Sequence, residues 1–240
     1  MSEASLRLYL DQPLAPGQSV ALSQDQAHYL STVMRQAAGS VFLAFNGRDG
    51  EWQLRLIEIN RRRGLAVVEH QTREQGLPPD LWLLFAPIKK ARTDFIVEKA
   101  VEMGAARILP VMTAHTNSER IRQDRLQAHA REAAEQCGAT FVPPVAELTK
   151  LGKLLTGWPE DRRLAFCDES APPGPAFANA APGPWALLIG PEGGFSGAER
   201  AQLLAKPFVT QIRLGPRILR ADTAAVAALA LWQNAVGDWR

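Results

Sequence analysis

The amino-acid sequence predicts a small β-rich domain in residues 1–73, followed by a larger α/β domain with a parallel sheet in residues 78–240. Short apolar runs bounded by turn residues fill the first part, a pattern typical of hairpins. From residue 81 onwards, buried-type strands alternate with helical stretches, which favours a parallel sheet covered on both faces. Residues 74–80 (EQGLPPD) carry one glycine and two prolines and are typical of a linker.

The first domain is predicted to contain three central strands and one helix. The strands are expected at residues 41–45, 53–59 and 65–70. Turn dipeptides of the Asn-Gly and Asp-Gly type separate the first two strands, and residues 60–64 separate the last two. A helix is expected at residues 24–35.

The second domain is predicted to contain five strands and four helices. The strands are expected at residues 81–86, 107–112, 164–167, 185–189 and 211–214, and the helices at 93–103, 124–137, 197–205 and 223–236. Ser196 and Glu199 fit a capping box, which marks the start of the third helix. Residues 171–184 hold five prolines and two glycines and are interpreted as a surface loop.

Composition excludes several classes of protein. The formal net charge is only +2, so any contact with nucleic acid must come from a local basic surface. Cys137 and Cys167 are far apart in sequence, and the four histidines lack metal-ligand spacing, so no metal is expected. Residues 1–10 carry no apolar run of signal-peptide length, and no window approaches the ~20 apolar residues of a membrane span, so no membrane partner and a cytoplasmic location are expected.

Two loops carry the strongest signal for chemistry. Residues 188–196 (LIGPEGGFS) lead from a buried strand through three glycines into a capped helix, and residues 213–224 (RLGPRILRADTA) again lead from a strand into a helix. Loops at the carboxyl ends of strands in one sheet can converge on one pocket. Either loop alone is equally compatible with a tight structural turn.

Other nucleotide and nucleophile motifs are absent from the sequence. It contains neither the G-x-G-x-x-G of a dinucleotide site nor the G-x-x-x-x-G-K-[ST] of a phosphate-binding loop. Residues 194–198 (GFSGA) lack the last glycine of the nucleophile elbow G-x-S-x-G, so Ser196 is better explained as a helix cap.

The two loops resemble those of the ribosomal RNA small subunit methyltransferase E family, which belongs to the SPOUT methyltransferases. Further similarity lies in residues 98–104 (EKAVEMG) and 131–138 (REAAEQCG), in Pro143, and near the N-terminus in residues 28–30 (HYL) and 33–35 (VMR). The resemblance covers nearly the whole chain. It implies a PUA-like β-barrel followed by a SPOUT-type α/β domain with a deep trefoil knot, and it implies a homodimer.

The resemblance also implies an activity. The methyl donor would be S-adenosyl-L-methionine (SAM), and the acceptor would be N3 of one uridine in the 16S rRNA of the small ribosomal subunit. The chain departs from the family at Asp222, where glutamate is usual, and at His115 and Ala139, where arginine is frequent. These departures concern RNA contacts more than the SAM site. A different RNA target, a non-catalytic ribosome-assembly factor and a phosphate-binding enzyme stay open as alternatives.

Site residues follow from the same resemblance. Residues expected to bind the cofactor are Leu188, Ile189, Gly190, Glu192, Gly193, Gly194, Leu214, Gly215, Ile218, Leu219, Arg220, Thr223, Ala224 and Cys167. Arg220 is expected to stabilise the developing uridine anion or to orient a phosphate, while Glu192 and Asp222 are candidates to orient groups or to accept the proton. A capping role is an equal alternative for Asp222. Residues expected to contact RNA are Arg7, Arg35, Arg61, Arg62, Arg63, Lys89 and Arg92. The three arginines at 61–63 lie at a predicted hairpin turn, and a solvated loop without RNA contact is an equal alternative for them.

Overall fold

The computed structural model describes residues 6–117 and 120–239. It divides into two compact units. The first contains the described residues up to Leu77 together with Ala134–Phe141, and the second contains Pro78–Ala133 and the described residues from Val142 onwards. No local pattern in the sequence indicates that residues 134–141 belong to the first unit.

The first unit is built on a five-stranded sheet. The strands are β1 (Arg7–Tyr9), β2 (Ser19–Leu22), β3 (Val41–Phe45), β4 (Glu51–Ile59) and β5 (Gly64–Arg73), in the order β1-β3-β4-β5-β2. Among the described residues of this unit, β1 and β3 pair in parallel and the other strand pairs are antiparallel. The three central strands were predicted. The two edge strands are too short, at three and four residues, to show a periodic pattern.

One helical segment interrupts these strands. Helix α1 (Gln24–His28) begins at a capping box between Ser23 and Gln26 and continues as a π-helical turn (Tyr29–Val33). The predicted helix end at Arg35 was therefore two residues too late, since Met34 closes the turn and Arg35 has a positive φ of 51°.

Arg7 lies in a buried ion cluster of the first unit. Its Nε donates to Oε2 of Glu51 at 2.6 Å, and its Nη1 donates to the carbonyls of Ala134 and Glu135 near the end of a helix. Arg73 contacts the same carboxylate at 2.7 Å. The side chain of Arg7 is only 11% exposed, so the expected RNA contact is corrected to a structural role. These bonds also explain why residues 134–141 belong to this unit.

The Glu51 carboxylate stabilises the first unit above acidic pH. Burial alone would raise its pKa, but hydrogen bonds from Arg73, Arg7 and Thr72 lower the pKa from 4.5 to about 2. The folded-state pKa is depressed, so the stabilisation is complete above about 4.5 and is lost as the pH falls towards 2.

We therefore expect Glu51→Gln to lower the free energy of unfolding by about 3 kcal/mol at pH 7, and by much less at pH 3. Urea unfolding of the variant at both pH values measures this difference. Glu69→Gln is the matched control, because Glu69 pairs with Arg55 on a more exposed part of the same sheet. An equal loss at both pH values for Glu51→Gln would contradict the assignment.

The second unit contains a six-stranded sheet whose strand pairs are all parallel among the described residues. Its strands are β6 (Leu81–Phe85), β7 (Arg107–Met112), β8 (Thr149–Lys150), β9 (Arg163–Cys167), β10 (Trp185–Ile189) and β11 (Val209–Ile212), in the order β11-β9-β10-β6-β7-β8. Its helices are α2 (Lys90–Glu102), α3 (Gln123–Cys137, which ends in the first unit), α4 (Leu151–Thr156), α5 (Gly197–Leu204) and α6 (Ala221–Ala235).

Apolar residues cover both faces of this sheet. One cluster joins strand residues such as Leu84, Phe166 and Leu188 to Leu155 of α4 and Leu203 of α5. Helices α2 and α6 pack against each other and α6 packs on β10, with a fully buried Trp232 among them. The prediction of an α/β domain with a parallel sheet is confirmed. The trefoil knot stays a prediction.

The boundaries around the second loop differ from those predicted. Strand β11 ends at Ile212 rather than at residue 214, and α6 begins at Ala221 rather than at Thr223. The N-cap of α6 is Arg220, and Asp222 lies in the first turn, where its Oδ1 accepts a hydrogen bond from the backbone N–H of Thr223 at 3.0 Å. The short elements β8 and α4 were missed, and residues 171–184 contain no helix or strand, as predicted.

Candidate active site

A cavity of about 570 Å³ lies at the carboxyl ends of β9 and β10 and beside the segment that follows β11. Three stretches form its walls: the end of β9, the loop of residues 190–194 after β10 (the glycine loop), and the residues between β11 and α6. The lining residues are Cys167, Asp168, Glu169, Ile189, Gly190, Pro191, Glu192, Gly193, Gly194, Phe195, Arg200, Arg213, Leu214, Gly215, Arg217, Ile218, Leu219, Arg220, Ala221 and Ala224. The two loops singled out in the sequence therefore meet in one cavity.

The glycine loop needs its glycines for two different reasons. A Cβ on Gly190 would lie 2.6 Å from the ring of Phe195. That ring packs edge-on against Phe166, with their centroids 4.9 Å apart, so it has little room to move. Gly194 has a φ of 66°, which lies in the left-handed region that suits glycine.

Helix α5 and the segment after β7 hold the glycine loop in place. Ser196 and Glu199 form the predicted capping box at the start of α5. The same Glu199 carboxylate accepts a hydrogen bond from the backbone N–H of Ala114 at 2.7 Å. Next to it, Nδ1 of His115 lies 2.9 Å from the carbonyl oxygen of Gly193. His115, noted as a departure from the family pattern, thus contacts the loop directly.

The second wall presents cationic and apolar side chains. Arg213 donates from Nε to the carbonyl of Gly215 at 3.0 Å, which fixes the start of this segment. Ile218 is 81% exposed. Arg220 is also exposed, lines the cavity and makes no side-chain capping bond to α6. Arg220 therefore lies at a space that a ligand can enter.

Arg92 joins the two candidate carboxylates beside the cavity. Its Nη1 lies 2.8 Å from Oε1 of Glu192, and its Nε lies 3.7 Å from Oδ2 of Asp222. The side chains of both carboxylates are partly exposed. The three residues come from α2, the glycine loop and α6, so only the fold brings them together.

The third wall contains a buried carboxylate. Burial alone would raise the pKa of Asp168, but hydrogen bonds from the Ser170 backbone, Gln211 and Arg200 lower it. Arg200 lies on α5 and contacts Asp168 at 2.5 Å. Burial, together with the charge of Asp168, raises the pKa of the Cys167 thiol to about 12. At neutral pH this thiol is protonated and does not act as a nucleophile.

Most of the residues expected to bind the cofactor line the cavity, with two exceptions. Leu188 is fully buried in the apolar cluster of the sheet, and Thr223 is exposed in the first turn of α6 outside the lining. Arg200 also lines the cavity and was not expected there, whereas Arg213 and Arg217 lie in the predicted loop 213–224 but were not named as site residues. Proximity to the glycine loop in sequence was the one available signal for Arg200.

Residues expected to contact RNA lie at separate positions. Arg35, Arg61, Arg62 and Arg63 are exposed in the first unit, and Lys89 is exposed just before α2 in the second. Over the described ranges 6–117 and 120–239, no group of three or more His, Cys, Asp or Glu side chains could hold a metal ion. In the same ranges, no helix is long and apolar enough to cross a membrane.

Comparison with known proteins gives the class. The RNA methyltransferase domain family matches residues 75–233, and the RNA methyltransferase PUA domain family matches residues 22–69. The chain thus contains an RNA methyltransferase domain with a PUA domain in front of it.

Individual relatives carry one name. Ribosomal RNA small subunit methyltransferase E of Synechocystis sp. is 32% identical over 88% of this chain and 72% of its own length, and that of Rickettsia conorii is 27% identical over 93% of each chain. The solved structure of this methyltransferase from Neisseria gonorrhoeae bound to S-adenosyl methionine has 28% identity and a TM-score of 0.89, over 98% of this chain and 99% of that one. The chain belongs to the ribosomal RNA small subunit methyltransferase E family.

Proposed function

We propose that this protein transfers the methyl group of SAM to N3 of a uridine in the 16S rRNA of the small ribosomal subunit. The observation that carries the proposal is the single cavity formed by the glycine loop, the end of β9 and the segment before α6. Residues 78–240 would bind the donor, and residues 1–73 would bind RNA as a PUA-like domain.

The cavity fits the donor in size and chemistry. Its volume of about 570 Å³ lies within the ~300–1,000 Å³ typical of small-molecule sites. Ile189, Leu214 and Leu219 supply apolar surface for an adenine ring, and the glycine loop offers backbone groups at close range. SAM supplies an electrophilic methyl group that is transferred by direct displacement. The protein must hold the acceptor in line with that methyl group.

The charged residues at the cavity have separate roles in the proposed reaction. Arg220 stabilises the negative charge that develops on the uracil ring when N3 loses its proton. Glu192 and Asp222 are the candidate proton acceptors, and Arg92 orients both through its two contacts. The shorter carboxylate of Asp222 still reaches Arg92 despite the departure from glutamate.

The arginine turn of the first unit is the proposed site for phosphate contacts. Arg61, Arg62 and Arg63 are exposed, and the side chain of Asn60 accepts hydrogen bonds from the backbone N–H groups of the last two. This Asx turn fixes the backbone of the loop between β4 and β5. Arg35 and Lys89 are further candidates for contacts of this kind.

Replacing all three turn arginines by glutamine is expected to flatten the salt dependence of RNA binding. The slope of log K against log [salt] is negative, and each lost phosphate contact reduces its magnitude by about 0.7–0.9. The magnitude should therefore be smaller by about 2–3 in the triple variant. Binding to small subunits measured at several salt concentrations gives the slope. Arg55→Gln, which alters an arginine paired with Glu69 in the same sheet, should leave it unchanged. An unchanged slope for the triple variant would exclude this turn from the RNA site.

Exposed apolar side chains in the second unit support a homodimer. Phe95 on α2 and Leu231 on α6 are each 38% exposed, and Ile218 at the cavity is 81% exposed. A homodimer that buried these side chains would be stabilised by removing their apolar surface from water. Sedimentation equilibrium at micromolar concentration should therefore give twice the 26.3 kDa mass of one chain, and a monomer would refute this part of the proposal. The expected location is the cytoplasm, where ribosomal subunits assemble.

The decisive experiment offers labelled SAM with three acceptors: small ribosomal subunits that lack the modification, naked 16S rRNA, and tRNA. Mass spectrometry then identifies the methylated nucleoside. The expected product is 3-methyluridine, formed chiefly on intact subunits. Label on tRNA alone would contradict the proposal that 16S rRNA is the substrate. Absence of both label and SAM binding would overturn the enzymatic function and favour an assembly factor.

A further inference from the structure

The pair formed by Arg200 and Asp168 has no part in the chemistry described so far. We infer that Arg200 binds the carboxylate of the amino-acid portion of the donor, and that Asp168 is the positioning residue that holds Arg200 for this task. The inference rests on the proposed function, since it assigns a residue to the donor proposed for this cavity.

The geometry fixes one side of the guanidinium and leaves the other available. Nη1 of Arg200 contacts Oδ1 of Asp168 at 2.5 Å. Oδ2 of the same carboxylate accepts a hydrogen bond from Gln211 at 2.7 Å, and Oδ1 also accepts from the N–H and hydroxyl of Ser170. Within the part of the chain that the structure describes, no other side-chain hydrogen bond of Arg200 is found. A guanidinium has five N–H donors, so several stay available to a ligand.

Burial distinguishes Arg200 from Arg217 and Arg220, while Arg213, which is also partly buried, donates its Nε to the carbonyl of Gly215. The Asp168 side chain is 3% exposed and that of Arg200 is 28% exposed, whereas Arg217 and Arg220 are exposed in the segment before α6. An RNA strand can reach the exposed arginines readily. The partly buried Arg200, beside the ends of β9 and β11, is better placed for a small ligand inside the cavity.

Charge identifies the group that Arg200 would bind. SAM carries a sulfonium, an ammonium and one carboxylate, and the adenosine portion is neutral. The carboxylate is its only anionic group, and planar guanidinium–carboxylate pairing is both strong and directional. Holding that end of the donor would also limit the positions that the methyl group can take.

Calorimetry with two ligands tests the inference by binding alone. The first is S-adenosyl-L-homocysteine, the demethylated product, and the second is 5′-deoxy-5′-(3-aminopropylthio)adenosine, which lacks only the carboxylate. The parent protein is expected to bind the first about 10- to 100-fold more tightly than the second. In Arg200→Gln this preference should fall to about twofold or less, because affinity for the first ligand falls and affinity for the second does not.

Three further variants make the result specific. Asp168→Asn should reduce the preference in part, because the guanidinium loses the charge that orients it. Arg200→Lys should keep part of the preference for the carboxylate-bearing ligand, because lysine retains the positive charge but lacks the planar guanidinium. Arg122→Gln, which alters an arginine paired with Asp124 at the surface (76% and 66% exposed side chains), should leave it unchanged.

The outcomes separate the inference from the function on which it rests. A preference that survives in Arg200→Gln would overturn the role of Arg200 while leaving SAM binding intact. Weaker binding of both ligands by the same factor would show that Arg200 only maintains the cavity, and would overturn the inference as well. Failure of the parent protein to bind either ligand would overturn the proposed donor and this inference together. If Arg200→Gln does not fold, the ligand preference of Arg200→Lys is compared with that of the parent protein. A reduced preference in Arg200→Lys supports the inference, and an unchanged preference overturns it.

Discussion

Replacing Arg220 by alanine is expected to lower the rate of methyl transfer by about 10²–10³-fold, the usual effect of removing a group that stabilises developing charge. Binding of S-adenosyl-L-homocysteine should change far less. The reason is geometric: Arg220 is exposed at the cavity, at the start of α6, and makes no capping bond to its own helix. Its cation can therefore contact the uracil ring when the neutral imide loses its proton.

Single-turnover methylation of small subunits, with calorimetry of donor binding, separates the two effects. Arg220→Lys keeps a cation and should recover part of the rate. Arg122→Ala, which removes a surface arginine paired with Asp124, is the matched control and should methylate at the parent rate. If Arg220→Ala loses donor affinity by as large a factor as it loses rate, then Arg220 contacts the donor and another group stabilises the uracil anion.

The sequence predicted the second unit well because its signals are local. Apolar runs of strand length alternate with helical stretches, and both glycine-containing loops follow strands of one parallel sheet. Carboxyl ends of parallel strands lie at the same edge of a sheet, so the convergence of the two loops could be expected. The cavity that joins Gly190 to Gly215 follows from these two facts.

Contacts between distant residues could not be predicted in the same way. Arg92 and Glu192 are 100 positions apart, and no periodic pattern relates them. Arg7 was expected to contact RNA, but in the structure it is bound to Glu51. A lone arginine near the N-terminus gave no sign that Glu51, 44 positions later, and the carbonyls at the end of α3 would surround it. An arginine is recognisable in a sequence, but its partner depends on the tertiary fold.

Alternation along a strand explains why Leu188 lies outside the cavity lining although its neighbour Ile189 belongs to it. Successive side chains of a strand point to opposite faces, so neighbours in β10 have different environments. Leu188 packs into the apolar cluster of the sheet, while Ile189, one residue later, reaches the cavity. Resemblance to a family motif marked both residues, but only the structure separates the core position from the site position.

Replacing Gly190 by alanine is expected to weaken binding of S-adenosyl-L-homocysteine by about 10-fold or more. The added Cβ would lie 2.6 Å from the ring of Phe195, and that ring is held edge-on by Phe166. Either the ring or the glycine loop must move, and overpacking of this kind costs about 1–3 kcal/mol. Because the loop forms a wall of the cavity, its displacement appears directly as lost affinity, which calorimetry measures.

A second glycine in the same segment provides the control. Gly197 begins α5 and has no atom within 4 Å of an added Cβ, and its φ is not in the left-handed region. Gly197→Ala should therefore bind the ligand as the parent does, and should be slightly more stable, because alanine favours a helix by about 1 kcal/mol over glycine. Equal affinity in Gly190→Ala and Gly197→Ala would mean that the loop relaxes around Phe195 without disturbing the cavity. The short distance between position 190 and the Phe195 ring would then not explain the glycine there. The backbone conformation of the loop would be the remaining explanation.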